Sequence, residues 1–184
     1  MAFTRDQLME KVWDVDYCIA PEEPFPAAVE EAYGIAAYAF DHAEELGIDP
    51  DKIILAGHSA GGNLVAAACL KNAETHRLHP CCVLMEYFPT DNTVDPLRRL
   101  SPELQKDPFW AKRAETEKLY TDFYVGKADP ADPLCSPAKA ADEALASFPD
   151  SLILSAGEDS LREDVEAFVL RLVKAGVCVT AQRI

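Results

Sequence analysis

A serine flanked two places on either side by glycine, Gly57-His58-Ser59-Ala60-Gly61, stands between an apolar run and the start of an alanine-rich stretch, in KIILAGHSAGGN from Lys52 to Asn63. Serine in a G-x-S-x-G turn between a strand and a helix can act as a nucleophile, because the bend lifts its hydroxyl clear of the sheet. A strained bend brings the flanking positions close together, so small residues are required there, and Gly57 and Gly61 supply them. A helix opening at Ala60 would aim its amide N–H groups, the Ala60 N–H first, at negative charge developing near Ser59. Two other glycine-rich turns fit worse. A phosphate-cradling P-loop needs G-x-x-x-x-G-K-[ST], but Gly57 and Gly62 are followed by Asn63 and Leu64. The dinucleotide pattern G-x-G-x-x-G fails because His58 and Ser59 stand where its second glycine would have to be.

The elements that must position Ser59 follow from periodicity. Thr4 and Gln7 form a capping box, which predicts a short helix from Arg5 to Lys11. Val12 to Ile19 reads as a strand, ended by the prolines of APEEPFP, Ala20 to Pro26. Val29, Tyr33, Ala36, Ala37 and Phe40 recur at helical spacing, predicting a helix over Ala27 to Leu46 with Gly47 as its stop. Ile53 to Ala56 reads as a short all-apolar strand of the kind buried on both faces of a parallel sheet; Cys81 to Phe88 and Ser151 to Ala156 read as further strands, and Val177 to Thr180 as the start of a last one. Helices are expected after Ser59 to about Lys71 and from Ser160 to Ala175. Between Thr90 and Pro149 the pattern loosens, with four Asp-Pro pairs and one helical stretch over Phe109 to Tyr124. A connection of that length is usually functional.

Strands alternating with helices predict an α/β fold: a mostly parallel sheet with helices on both faces, in a single domain with residues 90–149 as an excursion from it. Ligands of such sheets bind beyond the carboxyl ends of the strands. Ser59 follows one strand and Asp159, in the turn Gly157-Glu158-Asp159, follows another, so both are expected at one crevice. Asp159 also reads as a helix cap. Glu158, Glu163 and Asp164 read as solvated.

The 184 residues suffice for one core. Hydrophobic residues at 49% and charged ones at 27% describe an ordinary globule. The net charge of −15 argues against nucleic acid or an anionic membrane surface as partner. No stretch reaches the roughly 18 apolar residues of a membrane span, and Met1 to Lys11 is too polar for a signal peptide. None of the six cysteines stands at a zinc or C-x-x-C spacing, so no metal or other cofactor is expected. Buried, reduced cysteines in a cytoplasmic protein are expected instead.

Four stretches, DYCIAPEEPFPAA (16–28), GHSAGGNL (57–64), DPLCSP (132–137) and AGEDSLREDVEAFVLRLVKAGVCV (156–179), together resemble the hormone-sensitive-lipase-like branch of the α/β-hydrolase fold, a family of esterases and lipases. The resemblance implies Ser59 as nucleophile, Asp159 as the acid of a triad, and the Ala60 N–H as one oxyanion donor. It further implies hydrolysis of small-molecule esters through an acyl-serine.

The same resemblance implies a histidine after the acid in chain order and an H-G-G-G loop before the matched region. His42, His58, His76 and His79 all precede Asp159, and no H-G-G-G tetrad occurs. The expectation is therefore a central portion of a hydrolase, a partial α/β-hydrolase fold, weakly active or inactive on its own. In the family a further strand lies between the counterparts of Val12–Ile19 and Ile53–Ala56. Either these two strands pair directly, or exposed sheet edges associate with another chain, a second copy included. A non-catalytic binding module, and a hydrolase acting on amides or transferring acyl groups, stand as alternatives.

Overall fold

The structure, a computed structural model, describes residues 12–184. Strands β1 (Ile54–His58), β2 (Cys82–Glu86), β3 (Ser151–Ser155) and β4 (Val179–Arg183) alternate with helices α1 (Ala27–Asp41), α2 (Ala43–Leu46), α3 (Ala60–Thr75), α4 (Pro108–Val125), α5 (Asp142–Leu145) and α6 (Arg162–Lys174). The helix expected over Arg5–Lys11 lies outside the described residues.

The four strands form one sheet in the order β1-β2-β3-β4, all parallel. Ile54 is in register with Cys82, Val83 with Ser151, and Ser151 with Val179. Every carboxyl end therefore emerges along the same edge. Helices α3 and α6 cover one face, where Val83, Met85 and Ile153 meet Val65, Cys69, Phe168 and Leu172 in the main core. The other face carries Leu84, Leu152 and Leu154, all half-buried, and Ile54, which is exposed.

Val12 to Ile19 forms no strand, contrary to expectation, and Val12 and Ile19 are 85% and 68% exposed. Strand propensity is realised only through pairing, and among the described residues β1 pairs on one side only, with β2. The direct pairing considered for these two segments is thus absent. The helix expected over 27–46 is interrupted at His42 (φ −116°), and Gly47 in the left-handed region (φ 63°) ends its short second part. Helix α1 stacks on α3, through Tyr33 Oη and Thr75 Oγ1 (2.5 Å) and a Glu30–Lys71 ion pair.

The four Asp-Pro pairs of the 90–149 excursion share one local device. In each, the aspartate carboxylate accepts the N–H two residues on: Asp95 from Leu97 (2.9 Å), Asp107 from Phe109 (2.8 Å), Asp129 from Ala131 (2.8 Å) and Asp132 from Leu134 (2.8 Å). Proline lacks an N–H and fixes φ at the first position of a turn, so the carboxylate takes the next free donor. Asp107 starts α4 this way.

The cysteines divide. Cys69 and Cys135 are buried, Cys18 and Cys82 half-buried, and Cys81 and Cys178 exposed, so uniform burial is not what the fold provides. Cys81 and Cys178 each sit just before a strand starts, outside the layer that the helices cover.

Candidate active site

Ser59 directly follows β1 and caps α3 at φ 49° and ψ −122°, a conformation that non-glycine residues rarely adopt. The strain is held from both sides. The Ser59 N–H donates to the Glu86 carbonyl on β2 (3.0 Å), while the Ser59 carbonyl accepts from the N–H groups of Gly62 (3.1 Å) and Asn63 (3.3 Å). The residue is exposed, as is Ala60. Ala60 is the first residue of α3, so its N–H has no acceptor within the helix and faces the dipole's positive end.

The need for glycine is distributed differently from the motif. A Cβ on Gly57 would lie 2.3 Å from the Gly61 carbonyl carbon, whereas one on Gly61 would have nothing within 4 Å. Gly62, outside the motif, is equally constrained, since its Cβ would come within 2.7 Å of Phe88 Cβ. Phe88 reaches that position because Tyr87 turns the chain at φ 34° as β2 ends, which leaves the Tyr87 ring 6.1 Å from that of His58. Phe88 itself is packed edge-on against Phe168, centroids 5.8 Å apart.

Asp159 is half-buried in the turn after β3. Its Oδ1 accepts from the Leu161 N–H (3.0 Å) and lies 3.3 Å from Ser160 Oγ. Asp159 is therefore not the N-cap of α6, a position that Leu161 holds without a side-chain bond; its carboxylate instead closes the turn ahead of the helix, and Oδ2 is left unengaged by these two donors. The Arg162 guanidinium braces the turn by donating to the Gly157 carbonyl (2.7 Å). With β1 and β3 parallel and separated by β2 alone, Ser59 and Asp159 occupy the same edge of the sheet, about 9.5 Å apart in strand spacing. Of the neighbouring acids, Glu158 and Glu163 are exposed, but Asp164 is not solvated as expected: Arg99 Nε donates to it at 2.7 Å, and the Arg99 side chain is only 7% exposed.

The histidines lie elsewhere. His42 and His79 precede β1 and β2 and so belong to the opposite edge, stacked on Tyr38 (4.0 Å) and edge-on to Phe40 (6.3 Å). His76 ends α3 at the same side and is exposed. His58 alternates with Gly57 along β1 and points to the face opposite α3.

Sequence reasoning passed over Asn63. It is 2% exposed and sits one turn into α3. Its Nδ2 donates to the carbonyls of Pro89 (2.9 Å) and Cys135 (3.1 Å), and its Oδ1 accepts from Tyr124 Oη (3.3 Å). It thus ties the helix that follows Ser59 to the residue before the excursion, to Cys135 within it and to α4. Burial pushes the Tyr124 phenol well above its ordinary range, so it remains a donor. The available signal was an amide in a stretch, residues 60–70, whose other members are all small or apolar. Glu117, which reaches Ser160 from α4 (3.1 Å), left no comparable trace. Among the described residues no cluster of three or more metal-binding side chains occurs, and no helix is long and apolar enough to cross a membrane.

Comparison with known proteins agrees with this architecture. Residues 6–184 match a family model described as the α/β-hydrolase fold. The chain is 35% identical over 175 residues to the carboxylic ester hydrolase LipN of Mycobacterium tuberculosis, covering 92% of this chain and 45% of LipN. Over 92 residues it is 37% identical to mouse hormone-sensitive lipase, covering 49% of this chain and 12% of that protein. The crystal structure of carboxyl esterase 2 from the fungus Tuber melanosporum superposes with a TM-score of 0.79 at 29% identity, over 92% of this chain and 55% of that one. The chain spans about half the length of LipN and of the esterase structure. A parallel sheet with a strained serine at the exit of β1, and a family match over nearly every residue, lead to one conclusion: this chain belongs to the α/β-hydrolase fold family.

Proposed function

We propose that this chain carries the nucleophile and the acid of a serine ester hydrolase. Ser59 Oγ attacks the ester carbonyl carbon; the tetrahedral oxyanion is held in part by the Ala60 N–H; the alcohol leaves and an acyl-serine remains, which water then cleaves. Asp159 orients and charge-stabilises the base that takes the Ser59 proton and returns it to the departing alcohol. His42, His76 and His79 lie at the opposite edge, and His58, which ends β1 next to Ser59, points to the face away from α3, so none of the four is placed as that base. The observation that carries the reading is the conformation of Ser59: φ 49° on a strand-to-helix turn, exposed, with a helix amino terminus behind it. The ester hydrolases among its relatives support the same substrate class. Six unbridged cysteines support a reducing, cytoplasmic setting.

A fluorophosphonate probe tests this. Covalent labelling that disappears in Ser59→Ala, with turnover of p-nitrophenyl esters above that of the matching anilides, is the expected result. A folded protein that never labels would instead favour a non-catalytic module that binds its ligand at the same edge, a reading supported by the placement of three histidines at the opposite edge and of His58 on the face away from α3.

A further inference from the structure

Two polar residues on one face of α4 make contact with the two halves of the candidate site. Tyr124 Oη donates to Asn63 Oδ1 (3.3 Å), four residues beyond Ser59. Glu117 accepts from Ser160 Oγ (3.1 Å to Oε2 and 3.3 Å to Oε1), one residue beyond Asp159. Glu117 and Tyr124 are seven positions apart, two turns of helix and about 10.5 Å along its axis. The strands that deliver Ser59 and Asp159 are two spacings apart, about 9.5 Å. The lengths match, so α4 lies across the carboxyl edge with one contact over each side.

Both ends of this crossbar are braced. At the Tyr124 end, the Tyr124 carbonyl accepts the Phe25 N–H (2.7 Å), and Val125 is buried. At the Glu117 end, Ala114 is buried and Arg113 Nε donates to Glu117 Oε1 (2.9 Å), supplying a positive charge beside a carboxylate that faces the Asp159 turn. Ser160 Oγ is within reach of both carboxylates, at 3.1 Å from Glu117 and 3.3 Å from Asp159. Its single proton serves one of them at a time. When it donates to Glu117, Ser160 Oγ is pinned 3.3 Å from Asp159 Oδ1, the oxygen that also accepts the Leu161 N–H, so the bond to Glu117 steadies the turn that presents the Asp159 carboxylate.

We infer that Glu117 is a positioning residue, which acts through Ser160 to orient the Asp159 carboxylate, while Tyr124 acts through Asn63 on the nucleophile's helix, so that α4 sets the separation of the two halves of the site. The inference rests on the assignment of Ser59 and Asp159 to one site, but its readout does not require turnover.

The test uses the full chain, with the Asp159 carboxyl carbon followed by NMR (assigned with Asp159→Asn) and amide exchange followed residue by residue. Glu117→Ala and Ser160→Ala should each move the Asp159 carboxyl resonance and speed Leu161 exchange by about tenfold. The double variant should go no further than either single one, because both act through one hydroxyl. Glu117→Gln, which keeps an acceptor oxygen, should restore most of the wild-type signal. Tyr124→Phe should speed exchange at Asn63 and leave Asp159 unmoved. If Glu117→Ala lowers the unfolding midpoint while the Asp159 resonance and Leu161 exchange stay at wild type, Glu117 is merely structural and the inference fails. Additive effects of Glu117→Ala and Ser160→Ala would overturn it as well. Fluorophosphonate labelling of Ser59 in the same samples scores the hydrolase reading separately, since coupling without labelling refutes that reading and leaves the crossbar standing.

Discussion

Gly57 lies directly beneath the Gly61 carbonyl, so closely that a methyl group on Gly57 would approach it to 2.3 Å, while one on Gly61 would meet nothing within 4 Å. The two glycines of the elbow are therefore not equivalent. Gly57→Ala must push the first turn of α3 off β1, at a cost of about 2–4 kcal/mol. Gly61→Ala should be neutral, or stabilising by up to about 1 kcal/mol through helix propensity. Urea unfolding of the two variants side by side checks the asymmetry, and equal destabilisation would contradict it.

Ser59 stores backbone strain that a residue without Cβ would relieve. Ser59→Gly should unfold at higher urea than Ser59→Ala by the equivalent of about 1 kcal/mol, even though both lack the hydroxyl. A reversed order would mean that φ 49° is not maintained in solution.

Asn63 is the buried polar junction between α3, the excursion and α4. Asn63→Leu keeps the volume but leaves the Pro89 and Cys135 carbonyls and the Tyr124 hydroxyl without this partner. The Cys135 carbonyl keeps the Asn92 Nδ2 donor (2.7 Å), so the expected loss is about 2–3 kcal/mol, from the bonds lost at the Pro89 carbonyl and the Tyr124 hydroxyl at about 1–3 kcal/mol each. Tyr124→Phe alone should cost about 1 kcal/mol. Thermal or urea melts of both variants measure the difference.

The thiols should report the layering of the fold. Cys69, buried and pushed up to about 12 by desolvation, and Cys135, raised to about 11 chiefly by desolvation, should resist a disulfide reagent at neutral pH until the chain unfolds. Exposed Cys81 and Cys178 should react in the native protein. Mass spectrometry of partially labelled samples distinguishes the groups.

At the β4 edge, the Arg183 guanidinium donates to both oxygens of Glu166 (2.9 and 2.8 Å) and holds that carboxyl below the usual glutamate range, with Ser155 Oγ contributing a further bond (3.1 Å). A depressed folded-state pKa stabilises fully above the unfolded value of about 4.3, and the gain disappears as pH falls through the folded value. Both side chains are largely solvated, so the effect is small. Arg183→Gln should lower the melting temperature slightly at pH 7, and the gap to wild type should close as the pH falls below the ordinary glutamate range. A gap that widens on acidification would contradict the assignment.

Local chemistry made much of this protein readable in one dimension. The G-H-S-A-G stretch announces its bend, because apolar residues before it and alanines after it leave a strand and a helix as the only periodic choices. Apolar runs such as Ile153 and its neighbours mark strands, though not how deeply each face is buried, since Leu152 and Leu154 are half-buried and Ile54 is exposed, and the stop at Gly47 follows from its left-handed backbone. These are properties of neighbours in sequence. Val12 to Ile19 has the same local character, yet forms no strand, because strand formation depends on a partner that the segment cannot specify by itself.

Which glycines are indispensable, and which distant side chains support the site, came only from the folded chain. Gly62 is constrained by Phe88, which the left-handed Tyr87 steers beneath it, and nothing near Gly62 in sequence signals that approach. Asn63 meets Cys135 and Tyr124 across 72 and 61 positions of chain, and Glu117 meets Ser160 across 43. Thus the sequence by itself determined the elbow, the alternation of strand and helix, and the turns at Ser59 and Asp159 that follow two of the strands, because backbone propensity and short-range sterics act between adjacent residues. Only the tertiary structure decided the strand order that sets Ser59 and Asp159 two strands apart on one edge, and which distant side chains reach their turns. Parallel strand order and the placement of α4 arise from packing between segments far apart in the chain.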